Sequence, residues 1–277
     1  MNPVRGAYGL GVVGAIGAAA PLVAAAPGWP QLEIERQIGT ASSHRSLIGA
    51  DRAEIALMAG DQLMIDRLPL RATFTTARPL SDEALVHPYL APAAAVAGHW
   101  LGREAFHGGA LVLEGGAWAV LGDKESGKSS LLAILAQQGL GIVADDALIV
   151  ERELVFAGPR SIDLREEPAR ELDAGETIGI VGDRERWRLQ LDPVEAANPV
   201  RGWVFLAWAE STDVTAVSAG RRLQRLLRYR MIKGLPPPDP AGMLELATLP
   251  AFQLSRPRSW SQLETAGSLL LAALAGA

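Results

Sequence analysis

Through residue 80, apolar and polar residues alternate or fall into short apolar runs broken by turn residues. The stretch 8–29 (YGLGVVGAIGAAAPLVAAAPGW) is apolar but cut by Gly, Ala and Pro21, which predicts a pair of buried strand segments. LEIERQI (32–38), RAEIALMAGDQLMIDRL (52–68, with a turn at Gly60-Asp61) and RATFTTA (71–77) read as strands. At residue 81 the pattern changes. Ser81 followed by Asp82 and Glu83 marks a helix start, and 81–104 predicts one or two helices interrupted by Pro88 and Pro92 and ended at Gly102. AFHGGALVLEGGAWAVLG predicts a hairpin turning at Gly115-Gly116, and 129–139 carries helical spacing up to Gly139. Beyond it, 140–159 predicts a strand ending in two acids, then a strand pair. The charged run DLREEPARELDAGE reads as a mobile surface segment. Strands follow at 187–193 and 201–210, a basic amphipathic helix at 218–234, a stiff break at LPPPDP, a strand in AFQLSRPRSW, and a C-terminal helix capped by Ser261. No internal repeat is present. The division is a β-rich region over 1–80 and an α/β catalytic domain over 81–277.

The hairpin and the helix enclose LGDKESGKSS. Gly122, four residues, then Gly127-Lys128-Ser129 fits the phosphate-loop (Walker A) pattern. Strand, glycine turn and helix are the setting this motif needs. Backbone N–H groups from Gly122 to Ser130, Ser126 among them, turn inward around phosphate oxygens, and the helix start adds its positive end. Lys128 reaches the β- and γ-phosphates, and the Ser129 hydroxyl suits Mg²⁺. Asp123 and Glu125 place acid where phosphate should sit, unless both side chains point outward.

The second informative piece is GIVADDALIV (141–150). A right-handed crossover would set this strand beside the loop strand, bringing Asp145 and Asp146 to the phosphate end. Adjacent carboxylates suit two tasks: holding the metal, and accepting the proton of an attacking hydroxyl. Asp is also common in turns, and spacing leaves open which acid takes which task.

Composition narrows the field. The 277 residues are 49% hydrophobic with no cysteine, which excludes disulfides and Cys-ligated zinc. A net charge of −5 argues against a sequence-independent grip on nucleic acid. With a single Arg5 before an interrupted apolar run, neither a signal peptide nor a membrane span is expected, and the chain reads as cytoplasmic. His44, His87 and His99 show no metal-ligand spacing, and Trp203 and Trp208 fall on opposite faces of one strand, so one of the two is a candidate for exposure.

Residues 106–150, from FHGG through the phosphate loop to VADD, resemble the catalytic core of HPr kinase/phosphorylase and its relatives in order and spacing. YGLGVV, HPYLAPAAAVAGHWLGREAFHGGA and AFQLSRPRSW are similar to weaker marks of the HPr kinase-related group found beside peptide-modification genes. The resemblance implies a phosphoenolpyruvate-carboxykinase-like α/β P-loop kinase core, using ATP and Mg²⁺. It implies Lys128 and Ser129 on the triphosphate and its metal, Asp145 as general base, Asp146 as metal ligand, and His107 near the phosphate acceptor. It also implies assembly into homo-oligomers. The E-x-R-G-x-G string of true HPr kinase/phosphorylases is missing, and AGPRSIDLREE and AGETIGIVG stand there instead. That departure removes the basis for HPr recognition and for the phosphorylase reaction. The implied acceptor is a serine or threonine hydroxyl on a peptide or small protein, such as a ribosomal precursor peptide of the lasso type, with no nucleic acid or membrane partner. Arg160 and Arg165 are candidates for a phosphate clamp, or are plain surface arginines. The basic helix is a solvated face or a docking face for an acidic peptide. The rival readings are a small-molecule phosphotransferase and a nucleotide-responsive binding module without turnover.

Overall fold

The computed structural model describes residues 4–40 and 46–276; His44 lies outside them. The chain is a mixed α/β fold on three sheets. The first has eight strands in the order Val23–Ala24, Arg5–Ala7, Leu10–Gly14, Gln31–Ile38, Arg71–Thr76, Gln62–Asp66, Arg52–Ala56, Leu47–Ile48. Its core side is the period-two apolar set, with Leu32, Ile34, Leu63, Ile65, Ala72 and Phe74 almost fully buried. The second sheet begins with the hairpin of Glu104–Leu113 and Gly116–Leu121, and its pairings continue through Ala147–Glu151, Leu154–Phe156, Ala197–Trp208, Ala251–Arg256 and Asp213–Ala216. Ala197–Trp208 also pairs in parallel with Gly116–Leu121, so five strands close a ring. The third sheet is small and antiparallel: Ser161–Leu164, Arg184–Gln190, Glu176–Val181.

Helix Leu90–Trp100 lies between the first two sheets, touching Gln62–Asp66 on one side and the strands Glu104–Leu113 and Ala147–Glu151 on the other. Its alanines at 91, 93, 94, 95 and 97 are buried; small side chains let two sheets approach one helix. One hydrophobic cluster therefore runs from Ala7 in the first sheet to Ala251 in the second. On the opposite side, Lys128–Gln137 packs against the C-terminal helix Leu263–Ala275 through Leu131, Leu135, Ala266 and Leu270. Gly109 is needed under this layer, because a Cβ there would stand 2.3 Å from a Leu132 methyl and 2.7 Å from the Ala144 carbonyl.

Several expectations are corrected. The acid strand, Ile142–Ala144, is not beside the loop strand. Both pair antiparallel with Glu104–Leu113, which lies between them, so they still end on the same side. The segment 163–176 is built into the fold: Asp163 is buried in an ion pair with Arg188, Glu166–Glu171 is helical, and Leu164, Ala169 and Ala174 are core residues. Pro92 does not interrupt its helix, because it sits in the first turn, where backbone N–H groups lack an intrahelical acceptor. The basic helix ends at Tyr229, since Arg230 turns inward to Glu104 at 2.9 Å. Ser261 belongs to a short 3₁₀ turn preceding Leu263–Ala275 and does not cap that helix. Helix Pro240–Thr248, capped by Asp239, and the strands Asp213–Ala216 and Glu176–Val181 carry patterns that the sequence reading passed over. No helix of the described residues is long and apolar enough to cross a membrane.

Candidate active site

The phosphate loop leaves its strand at Leu121 and enters its helix at Lys128. Gly127 has φ +79°, a left-handed conformation natural to glycine, and a Cβ there would strike the Arg256 guanidinium at 2.2 Å. The Lys128 ammonium folds back onto the loop, donating to the Gly122 and Asp123 carbonyls at 2.9 and 3.0 Å. Burial lowers its pKa, with Asp145, Asp146 and Asp123 opposing that shift. Both acids of the loop are held in exposed ion pairs: Asp123 meets Arg228 at 2.7 Å, and Glu125, which lines the cleft described below, meets Arg165 at 3.0 Å.

The acid pair occupies a kink. Ala144 pairs with Ala110 and Ala147 with His107, so Asp145 and Asp146 interrupt the ladder between them. Asp146 sits at φ +72°, which costs a non-glycine residue about 1–2 kcal/mol and which Asp tolerates better than most. The kink sends the two carboxylates different ways. Asp145 is buried and accepts from the Ser129 hydroxyl at 3.2 Å. Burial, and then the neighbouring Asp146 charge, push its pKa up to about 6. Asp146 is more open and lies between two histidines, His87 Nδ1 at 3.8 Å and His107 Nδ1 at 3.6 Å. His107 Nδ1–H donates to the Asp146 carbonyl at 3.1 Å, which leaves Nε2 as an acceptor. Burial and then the Lys128 charge lower the His107 pKa, with Asp146 opposing, which favours the neutral ring.

These groups share a cleft of about 870 Å³ with residues of the second and third sheets and with Met58, from a turn between two strands of the first. Gly127, Lys128, Ser129, Ser130, His107, Asp145, Asp146 and Arg165 line it; Gly122 and Ser126 belong to the loop just behind. Arg160 does not come to the site. It is buried and donates to the carbonyls of Ile142, Val143 and Asp192 at 2.5–3.2 Å, so it braces the acid strand and is no phosphate clamp. Arg165 is in place but holds Glu125. Of the two acids, Ser129 faces Asp145, not Asp146.

The structure adds residues that the sequence reading missed. Arg256, buried with its pKa lowered to about 10, lies 4.4 Å over the Trp208 ring, with Arg258 at 5.0 Å from it. Trp203 is wholly buried, whereas Trp208 lines the cleft. Arg186 lines it from the third sheet. The RERWR alternation at 184–188 was the available signal for Arg186; Arg256 lies in the AFQLSRPRSW string quoted above, but nothing in that string assigns it to the site.

Ser129 Oγ and Asp145 Oδ1 are two hard oxygen donors side by side, which suits a Mg²⁺ that takes most of its remaining ligands from phosphate and water. Among the described residues no cluster of three His, Asp or Glu forms a self-sufficient metal cage, and a nucleotide-borne ion needs none.

No protein-family model matches the chain, and no curated protein matches it. Among solved structures it is similar to the Hpr(Ser) kinase/phosphatase from Coxiella burnetii, at 13% identity over 62% of this chain and 97% of that one, with a TM-score of 0.32. So loose an overlap adds nothing to the chemistry of the site, which stands on this chain's own residues.

Proposed function

We propose that the protein is an ATP-dependent kinase with a phosphoenolpyruvate-carboxykinase-like core. It transfers the γ-phosphoryl group to a serine or threonine hydroxyl of a peptide or small protein. One observation carries the reading: at the mouth of a phosphate loop, one carboxylate faces the loop serine and its neighbour faces a histidine across an accessible cleft. Loop N–H groups and Lys128 hold the triphosphate. Ser129 and Asp145 hold Mg²⁺, which when bound neutralises charge across the β- and γ-phosphates. Asp146 takes the general-base role in place of Asp145, because it is the more open of the two and is free of the loop serine. It accepts the proton of the acceptor hydroxyl as that oxygen bonds to the γ-phosphorus and the bond to the β,γ-bridging oxygen breaks. His107 steadies Asp146 through the Nδ1–H bond to its carbonyl and presents a neutral ring to the acceptor.

The test is mass spectrometry of serine- and threonine-bearing peptides and small alcohols incubated with protein, Mg²⁺ and ATP. A phosphate-sized mass gain that disappears with Lys128→Ala and Asp146→Asn supports the reading. Tight ATP binding with no transfer to any acceptor would leave a nucleotide-responsive binding module instead.

A further inference from the structure

Strand Arg184–Gln190 is the middle strand of the third sheet, and its first residues line the cleft. Arginine stands at 184, 186 and 188, so the three project from one face. Their situations differ. Arg188, the innermost, grips Asp163 with two bonds of 2.7 and 2.6 Å and donates to the Glu83 carbonyl at 3.0 Å. Arg184, at the rim, lies 3.6 Å from Asp183. Arg186, between them, makes no hydrogen bond or ion pair among the described residues, and its Nε is buried without a partner. A guanidinium stays charged in a protein, and desolvating one without completing its bonds is costly.

Its position suggests what would complete it. The triphosphate end of the cleft has its own cations, Lys128 on the loop and Arg256 and Arg258 at Trp208. Arg186 comes from another sheet; the Asp163 carboxylate is the acid it feels most, and Asp146, which lines the same cleft, acts on it more weakly. The hairpin tip of its sheet touches the first sheet, where Met58 lies against Gly182 and lines the same cleft. It therefore stands on the acid-pair side, where an acceptor hydroxyl must enter.

We propose that the acceptor carries an anionic group, a carboxylate or a phosphate, close to the hydroxyl that is phosphorylated, and that Arg186 receives it. This rests on the kinase reading above and names the class of its substrate. The planar guanidinium fork matches either anion with paired hydrogen bonds, and such a grip would fix the hydroxyl's orientation toward Asp146.

The test is calorimetry on the full chain loaded with Mg²⁺ and a non-hydrolysable ATP analogue. The probes are succinate, O-phosphoserine and the uncharged N-acetylserinamide. At least one anion is expected to bind, and the neutral probe at least about tenfold more weakly. Arg186→Gln is expected to lower the anion's affinity about ten- to hundredfold, with Arg186→Lys intermediate and the analogue's affinity unchanged. Whether succinate or phosphoserine binds more tightly assigns the source of the charge. The proposal is overturned if the neutral probe binds as well as the anions, if neither anion binds, or if Arg186→Gln leaves the anion's affinity unchanged. It is overturned too if that variant weakens the analogue instead, which would place Arg186 on the triphosphate. Failure of the wild type to bind the analogue would strike the kinase reading alone; the anion titration, repeated without nucleotide, then decides for or against Arg186 as an anion site.

Discussion

The two walls of the cleft are built on opposite principles. The loop wall, residues 121–147 together with His107, is largely closed in on itself. Lys128 bonds its own loop, Ser129 bonds Asp145, and His107 bonds the Asp146 carbonyl. The arginine wall is assembled from separate strands and holds guanidiniums with few bonds or none: Arg186 unpaired, Arg256 with only long contacts of 3.4 Å to the loop carbonyls. A wall whose polar groups are mostly satisfied, the buried Ser126 hydroxyl excepted, is largely pre-organised before any ligand arrives. A wall with unspent donors is stabilised when an anion arrives. Phosphate chemistry uses both, one to fix reacting atoms and one to attract and orient charge.

The largest effect expected is on the loop wall. Replacing Asp146 by Asn should slow phosphoryl transfer about 10²- to 10⁴-fold at saturating nucleotide, as loss of a general base does. Asp145→Asn should instead raise the Mg²⁺ concentration needed for half-maximal rate. Transfer rates measured across a Mg²⁺ titration separate the two. If Asp145→Asn fails at all metal concentrations while Asp146→Asn is rescued by added Mg²⁺, the assignment reverses.

Next comes a contrast between two arginines. Arg160 is stability and Arg186 is ligand. Arg160→Ala removes the guanidinium from the buried carbonyls of Ile142 and Val143, the latter keeping its bond from the Gly158 N–H, and should cost about 1–3 kcal/mol in chemical denaturation. Arg186→Gln removes no internal bond and should leave the unfolding midpoint nearly in place. Equal losses from both would mean that the arginine wall is structural after all.

How much of this was legible follows the same division. The loop wall is nearly contiguous in sequence, so its strands, glycines, lysine and acids could be read as one string. The fold around the string was also readable, because alternation and alanine-rich periodicity are local. The strand order was not, since Glu104–Leu113 inserts itself between two strands that a simple crossover would make neighbours. The parts of Asp145 and Asp146 were hidden because a left-handed Asp146 redirects both side chains, and alternation along a regular strand does not foresee that kink. Arg160 looked like a clamp by its charge, and only the carbonyls around it show otherwise. Arg256 reaches Gly127 from the far end of the chain, by a parallel pairing that no spacing rule announces.

A smaller effect concerns pH. The Asp145 pKa is raised from 3.8 to about 6 in the fold. Folding therefore favours its neutral form. The contribution is fully present below the unfolded value and is lost as pH rises through about 6. For metal-free protein in a chelator, this group should take away on the order of 3 kcal/mol of stability between pH 4 and pH 7. Asp145→Asn should lack that slope and be the more stable protein at pH 7. Parallel denaturant titrations at several pH values, wild type minus variant, isolate the term. A flat difference would show that Asp145 is not paying a desolvation cost, and the kink would then need another account.

The smallest effect tests whether the loop's own acids are bystanders. Glu125 lines the cleft but is held by Arg165 in an exposed pair. Exposed pairs of this kind contribute little. Glu125→Gln should therefore leave the affinity for Mg²⁺-ATP within about fivefold of wild type, and Asp123→Asn likewise. The direction is informative as well. An acid facing bound phosphate would be repelled by it, so removing that acid would tighten binding tenfold or more. A small change at both positions means that the loop keeps its acids off the phosphate and the comparison between the walls stands. A large gain at either would mean that the loop reorganises when the triphosphate binds, and that the comparison between the walls fails.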